Sequence, residues 1–339
     1  MNATHRPPTG AGWPLAVGLC ALAGLLAVVG VTIGPHPGSF GDCLTALVGG
    51  DGDATLAMAV RDVRLPRSLQ SVLLGAALAL AGLLSRTAAN NRLATPSVLG
   101  VHNGANLGLL AALVLAPQLG ELGIVGASFA GALAATLLVL ALASLPNVRR
   151  DPVRWLLVGV LLNRFEGGLA TAILFAHGMQ NAMLGWTVGR LVQVDWLQVA
   201  LLAPALLLCV ALSLFVVHGL DTLRLGEHVA RGLGVRVGAL RALTVGIIVL
   251  LAGAATAVAG PVAYVGLVVP NLITRRLLPN AHARLLACAA GGAVATGAAD
   301  ALARLSSGDR EVPLGLWTML VGAAFFLAAT MRRRIGATA

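Results

Sequence analysis

Asn163, Arg164 and Glu166 interrupt an apolar run that extends roughly over residues 155–177. A charged group at the centre of a membrane span costs about 2.5 to 3.5 kcal/mol on insertion scales, so such residues face a bundle interior, a partner or a water-filled route. The residues themselves allow an opening onto a route or dimer seam, or, as the plainer alternative, a structural ion pair or a placement nearer the inner interface. Other chemistries find little support. The histidines, among them His102, His177, His218, His228 and His282, lack metal-ligand spacing, and Cys20, Cys43, Cys209 and Cys288 are scattered without any CxxC pattern. The expectation is therefore no metal site and no catalytic residue. Paired carboxylates, a nucleophile motif and a GxxxxGK[ST] phosphate loop are also missing from the pattern, which argues against ATP hydrolysis by this chain.

The elements that must position these residues are dictated by composition. Of 339 residues, 58% are hydrophobic and 11% charged, with a mean hydropathy of +0.89. That leaves too little polar surface to coat a water-soluble globule, and lipid is the expected solvent. The net charge of +10 comes from 23 basic residues, every one an arginine. They stand singly or in twos and threes between apolar runs, with only 4% aromatics, so nucleic acid is not an expected partner. A topological role fits better, because membrane proteins concentrate basic residues on the cytoplasmic side.

Apolar runs of membrane length fall near residues 14–33, 67–85, 97–116, 122–145, 155–177, 196–217, 240–259, 261–278, 284–303 and 314–331. The first follows Arg6, exceeds the apolar core of a secretory signal and has no small-x-small cleavage pattern after it, so it reads as a retained span. The eighth is broken by Gly260-Pro261 at its start and by Pro270 within it. With ten alternating spans and both termini cytoplasmic, sixteen arginines lie inside, six outside, and Arg164 within a span. The 42 glycines include Gly75, Gly82, Gly100, Gly104, Gly108, Gly291 and Gly292 inside spans, as expected where small residues let helices approach closely in lipid. The longest inner connection, about residues 218–239, has helical character between Gly226 and Gly234 with charges on one side. It suits a short helix at the cytoplasmic surface, bound either to lipid or to a soluble partner.

Several separate segments resemble the FecCD family, the permeases of importers for ferric siderophores, haem and vitamin B12. Arg64-Leu65-Pro66-Arg67 followed by Gly75-Ala76-Ala77-Leu78-Ala79-Leu80-Ala81-Gly82 is similar to the family's RLPR...GAALAxxG. Asn91 to Val101 is similar to NPLAxPxxLGV, Leu225 to Val235 to LGxxxAxxLGV, Gly260 to Pro270 to GxIxFIGLVxPH, and Glu311 to Gly315 to ELPxG. The five matches keep the family's order and cover about residues 61–331. Departures are Arg92 for the usual proline, Asn271 for the usual histidine, and no clean GxDHR pattern in residues 278–282.

The resemblance implies an all-α polytopic membrane protein. One permease domain of about ten transmembrane helices would form a packed bundle in the bacterial inner membrane, its second to fifth and seventh to tenth spans related by inversion. It implies an ATP-driven importer in which ATP is used by two separate cytoplasmic ATPase subunits. A second copy of the permease, or a similar permease, and an external substrate-binding protein would complete it. Within it, Gly226, Glu227, Ala230, Arg231 and Gly234 fall on the coupling helix seated in a groove of the ATPase; an ordinary solvated loop is the alternative. Arg64, Arg67 and Arg304 match outer-face positions that receive acidic residues of the binding protein. Alternatively, Arg64 and Arg67 anchor a helix end, and Arg304 snorkels or pairs with Asp300. The fifth and tenth spans border the translocation route in the resembling permeases, which places Asn163, Arg164 and Glu166 beside a route for a ferric siderophore or related chelate. Haem and cobalamin are alternative cargoes, and an ion-coupled secondary transporter is an alternative mechanism.

Overall fold

A computed structural model of the chain describes residues 12–34, 39–48, 54–91, 94–145, 152–179, 189, 191, 194–274, 277–306 and 312–335. Arg92 and the arginines at 6, 149, 150, 190, 275, 276 and 310 lie outside these residues, as does Glu311. Among the described residues every regular element is helical. The long helices are α1 (Trp13–Thr32), α4 (Leu65–Ala88), α5 (Val101–Leu115), α6 (Glu121–Ala143) and α7 (Pro152–Ala176). They continue as α8 (Trp196–Leu223), α10 (Val237–Ala259), α12 (Ala281–Ser306) and α13 (Leu314–Ile335). Short helices α2 (Phe40–Val48) and α3 (Ala54–Met58) lie between the first two spans, α9 (Glu227–Gly232) between α8 and α10, and α11 (Val265–Leu272) after α10. Seven helices among the described residues are long and apolar enough to cross a bilayer, and α5 and α13 carry shorter apolar stretches.

The centre of the bundle is α4, which packs against α1, α8, α10, α11 and α12. Leu74, Leu80 and Leu84 on α4, with Ile247, Ile248 and Leu251 on α10, are among the largest fully buried side chains. Close approach is set by glycine. A Cβ on Gly75 would lie 2.1 Å from the Gly292 carbonyl oxygen, and one on Gly82 would lie 1.9 Å from that of Gly266. Backbone therefore meets backbone where α4 crosses α12 and α11. A threonine hydroxyl strengthens the first crossing, Thr296 Oγ1 donating to the Ser71 carbonyl at 2.7 Å. In lipid, where helices gain little from leaving one apolar medium for another, this packing and these cross-helix hydrogen bonds hold the bundle together. Gly104, Gly108 and Gly131 play the same part between α5 and α6.

Helix ends follow the local sequence. Ser39 and Asp42 bond reciprocally at the start of α2, the Ser39 amide donating to the Asp42 carboxylate at 2.9 Å and the Asp42 amide to Ser39 Oγ at 3.2 Å. That amide, with the Ser39 hydroxyl, holds the Asp42 carboxyl below its ordinary range. Asn280 Oδ1 accepts from the His282 and Ala283 amides at 3.0 and 3.2 Å, capping α12. A proper N-cap thus stands where residues 278–282 depart from the GxDHR pattern.

Three boundaries differ from the sequence expectation. Among the described residues of the eighth apolar run, 261–278, the helix is the eight-residue α11, about 12 Å long against the roughly 30 Å of a hydrocarbon core. Gly260 (φ 72°) ends α10 in the left-handed region, and Tyr264 (φ 69°) starts α11 there too, so the chain turns twice within five residues. Second, α8 runs on to Leu223, which shortens the connection expected at residues 218–239. Third, the described residues between the first two spans are largely helical, and a π-helical turn at Ala59–Arg64 leads directly into α4. Such a turn displaces backbone bonding; Trp196 Nε1 donates to the Arg61 carbonyl at 3.2 Å, and Arg61 Nε to the Ala46 carbonyl at 2.6 Å.

Candidate functional site

At the end of the bundle where α4 begins, Arg64, Arg67 and Arg304 come together, and they do so by burial. Arg64 is 3% exposed and its guanidinium reaches the Val31 carbonyl at the end of α1 at 3.4 Å. Arg67 pairs with Asp300 at 3.1 Å across α4 and α12. Arg304 pairs with the same carboxylate, donates to the Gly30 carbonyl at 2.7 Å and reaches Ser68 Oγ at 3.1 Å. One acid thus bridges two arginines, and Arg304 satisfies a carbonyl in the last turn of α1 that no helical amide reaches. In the single chain Arg64 and Arg304 therefore present little of their guanidiniums to the surface. Arg64 reaches a helix end, the alternative weighed for it, Arg304 makes the pair with Asp300 that was weighed for it, and Arg67 retains more side-chain surface than Arg304, 14% against 7%.

A matching cluster occupies the opposite end. Asp221 of α8 receives Arg284 of α12 at 2.7 Å and Arg224 at 3.8 Å, while Arg224 also reaches Thr87 Oγ1 in the last turn of α4 at 3.3 Å. Arg86 donates to the Pro270 carbonyl and, at 3.1 Å, to Asn271 Oδ1, so the asparagine that departs from the family's histidine serves as the partner of an arginine. From this end projects α9. Gly226 (φ 110°) and Gly234 (φ 82°) bracket it in conformations that L side chains rarely adopt, and Ala230 is its buried anchor. Glu227 binds Arg231 one turn on and Arg241 of α10 at 3.1 Å. The helix read from the sequence between Gly226 and Gly234 is therefore present, tethered to α10 by an exposed ion-pair network and to the core by one methyl group.

The third group, on α7, is divided by the fold. Glu166 is 4% exposed and turns toward the start of α5, where a Cβ on Gly100 would lie 3.2 and 3.3 Å from its two carboxylate oxygens. Asn163 is locked from both sides: Asn103 Nδ2 donates to its carbonyl at 2.6 Å and to its Oδ1, and its own Nδ2 donates to the Ser97 carbonyl at 3.0 Å. These bonds fasten α7 to α5 and to the single 3-10 turn at Pro96–Leu99, which the left-handed Gly100 closes. Arg164 points elsewhere. It is exposed and lines a groove of about 630 Å³ with Asn103, Asn163 and Thr171. Among the described residues no ion pair joins Arg164 to any carboxylate, so the structural ion pair considered from the sequence is not formed there.

A second cavity, about 370 Å³, lies on the other side of residues 95–100, between them and residues 260–264. His102 lines it. Its Nδ1 lies 2.6 Å from Thr256 Oγ1, which also reaches the Ala252 carbonyl at 2.7 Å. Two broken stretches, one from each half of the chain, thus border the same space. The sequence signal for them was Pro96 before Gly100 and Gly260-Pro261. The His102–Thr256 pair, 154 residues apart, had none.

Comparison with known proteins agrees with this architecture. Residues 20–332 match the FecCD transport family. The iron(3+)-hydroxamate import system permease protein FhuB of Bacillus subtilis is 32% identical over 323 residues, covering 95% of this chain and 84% of that protein. The Fe(3+) dicitrate transport system permease protein FecD of Escherichia coli is 35% identical over 276 residues, covering 80% and 85%. The vitamin B12 import system permease protein BtuC of Citrobacter koseri is 36% identical over 282 residues, covering 81% and 83%. Among solved structures, a metal-chelate-type ABC transporter in an inward-facing conformation superposes with a TM-score of 0.79 at 25% identity, over 94% of this chain and 98% of that one. An all-helical bundle of this likeness, matched by the family over nearly its whole length, is a multi-pass importer permease, and the chain belongs to the FecCD transport family.

Proposed function

We propose that this chain is the membrane-spanning half of an ATP-driven importer for a ferric chelate, working as a pair with a second copy of itself. The observation that carries the reading is α9: a short helix held away from the bundle between two left-handed glycines, bearing Glu227 and Arg231 on its exposed side. A rigid connector of this kind suits a soluble ATPase subunit whose closure is transmitted to α8 and α10, the helices it joins. The FecD and FhuB likenesses support an iron chelate as cargo, with cobalamin the alternative that the BtuC likeness supports, and the chain itself supplies no phosphate loop, so nucleotide is hydrolysed by the ATPase partner.

Orientation follows from the same reading. The end bearing α9, Arg224 and Arg284 faces the cytoplasm with both termini, consistent with the excess of arginine there. The end bearing Arg67, Asp300 and Arg304 faces outward, where the surface around Arg67 receives the substrate-binding protein. The second permease covers α13 and the Phe165 side of α7, with Phe165, Leu320 and Val321 all more than half exposed, and the Arg164 face of α7 borders the route between the two copies.

The test is accumulation of radiolabelled ferric chelates by cells with and without this chain, before and after ATP depletion. Uptake that requires both the chain and ATP is expected. Uptake that survives ATP depletion and collapses with the ion gradient would instead identify a secondary transporter.

A further inference from the structure

At the end of the bundle that bears α9, helices α8 and α12 bring two imidazoles together. The rings of His218 and His282 stand 4.5 Å apart between centroids, with their planes at 61°. No sequence spacing announces the pair: α9, α10 and α11 separate the two residues in the chain, and the fold alone joins them. His282 is held from two sides. Asn280 Oδ1 caps its backbone amide at 3.0 Å, and its Nε2 lies 3.3 Å from the Leu214 carbonyl, one turn before His218 on α8. A carbonyl oxygen only accepts, so Nε2 carries the proton, and in the neutral ring the lone pair belongs to Nδ1. Metal-binding histidines are oriented in this way, one ring nitrogen donating to a backbone carbonyl while the other meets the metal. His218 is exposed, and among the described residues no hydrogen bond engages its ring nitrogens or Nδ1 of His282. Two imidazoles that share one cation, each nitrogen about 2.1 Å from it, stand roughly 4.5 to 5 Å apart between centroids. The neighbouring arginines are drawn to a carboxylate of their own. Arg284 binds Asp221 at 2.7 Å and the Leu278 carbonyl at 3.3 Å, and Arg224 lies 3.8 Å from the same carboxylate, whose buried Oδ1 accepts no hydrogen bond among the described residues.

We infer that His218 and His282 form a site for a first-row divalent cation of the kind imidazole prefers, zinc or ferrous iron, and that the bound cation ties α8 to α12. Among the described residues no third histidine, cysteine or carboxylate joins them in a metal-binding cluster, so water fills the remaining positions and the cation exchanges with the surrounding pool. The site stands without the importer reading; its consequence rests on that reading. Helix α8 leads directly to α9 and packs against α12. Fixing its last turns against α12 restrains the movement by which α9 passes ATPase closure to the bundle. Metal accumulated on the cytoplasmic side thereby slows further uptake.

The full chain, purified through a tag other than polyhistidine and placed in lipid nanodiscs, is titrated with Cu2+, whose electron paramagnetic resonance spectrum is split by the nitrogens bound to it. Wild type is expected to show two imidazole nitrogens, as is His177→Ala, which removes an exposed ring at the end of α7. His218→Ala, which breaks no hydrogen bond among the described residues, should show one nitrogen and bind about a hundredfold more weakly, because the second contact was intramolecular. In the transporter assembled with its ATPase and binding protein, Zn2+ should slow chelate-stimulated ATP hydrolysis several-fold for wild type and leave His218→Ala unaffected. A one-nitrogen spectrum in wild type, or the same spectrum in His218→Ala, overturns the site whatever the chain transports. Equal sensitivity to Zn2+ in the two proteins overturns the restraint on the cycle. A two-nitrogen spectrum in a chain whose assembly hydrolyses no ATP in response to any chelate upholds the site and removes the importer reading.

Discussion

Helices α4 and α7 both carry polar residues through the membrane, and they dispose of them in opposite ways. Of the apolar stretch through α4, 83% is buried, against 17% for α7. On α4 the polar groups face inward and find partners within the chain: Gln70 donates to Gln198, Ser71 to the Ser68 carbonyl, Thr87 to the Leu83 carbonyl, and Arg67 meets Asp300. On α7, Asn163 and Glu166 turn inward while Arg164 opens onto a groove. Buried polar groups must be bonded because the low dielectric makes an unpaired one costly. A satisfied polar residue inside one chain is therefore structural by default, and an unneutralised cation on the exposed face of the same bundle is the exception that points outward to cargo or partner.

The comparison can be broken most severely at α4. Gly75→Leu drives a side chain into the Gly292 backbone, and overpacking typically costs about 1 to 3 kcal/mol or more. With backbone on the other side unable to give, detergent-extracted protein is expected to be lost or to elute as aggregate in gel filtration. Asp300→Leu comes next. It leaves Arg67 and Arg304 facing each other, and stripping one partner from a buried pair costs about 3 to 5 kcal/mol; thermal unfolding in detergent should fall by several degrees. Uptake by whatever protein survives would sharpen the assignment of that cluster to structure. On α7, Arg164→Gln should leave the unfolding temperature unchanged while uptake falls, the reverse of the α4 variants. The smallest effect belongs to Glu227→Gln. Its exposed pairs with Arg231 and Arg241 contribute roughly 0.2 to 1 kcal/mol each to stability, so melting should hardly move while chelate-stimulated ATPase activity of the assembled transporter declines.

The sequence made the bundle legible because lipid enforces long apolar runs, and nine of the ten read from it became long helices. The exception, the eighth run at residues 261–278, failed for a local reason: Gly260 and Tyr264 both adopt positive φ, and composition does not report a double turn in an apolar segment. Arg164 and the bounds of α9 were visible as polar interruptions and flanking glycines. What pairs with what was not. Arg67 and Asp300 are 233 residues apart, on helices that are neighbours only in the folded state, and so the arginines at that end read as surface groups although Arg64 is buried and Arg67 and Arg304 are ion-paired. Gln198 joins Gln70 to Glu121, linking α8 to α4 and α6 by side chains that looked like isolated polar residues in separate spans. Helix periodicity places a residue on a face; it does not say which neighbour the face will meet.

The central claim, that the exposed face of α7 borders an aqueous route between two copies and not lipid, is tested most directly by thiol accessibility at Gly168, one turn beyond Arg164 on the same face. Gly168 has open space around it, and Cys20 is the exposed native cysteine to be replaced first. In a Cys20→Ser background, Gly168→Cys in the assembled transporter is predicted to react with a membrane-impermeant, charged thiol reagent at a rate that changes between nucleotide-free and ATP-bound states. Reaction only with a lipid-soluble maleimide, at the same rate in both states, would show that this face meets the bilayer and would contradict the account.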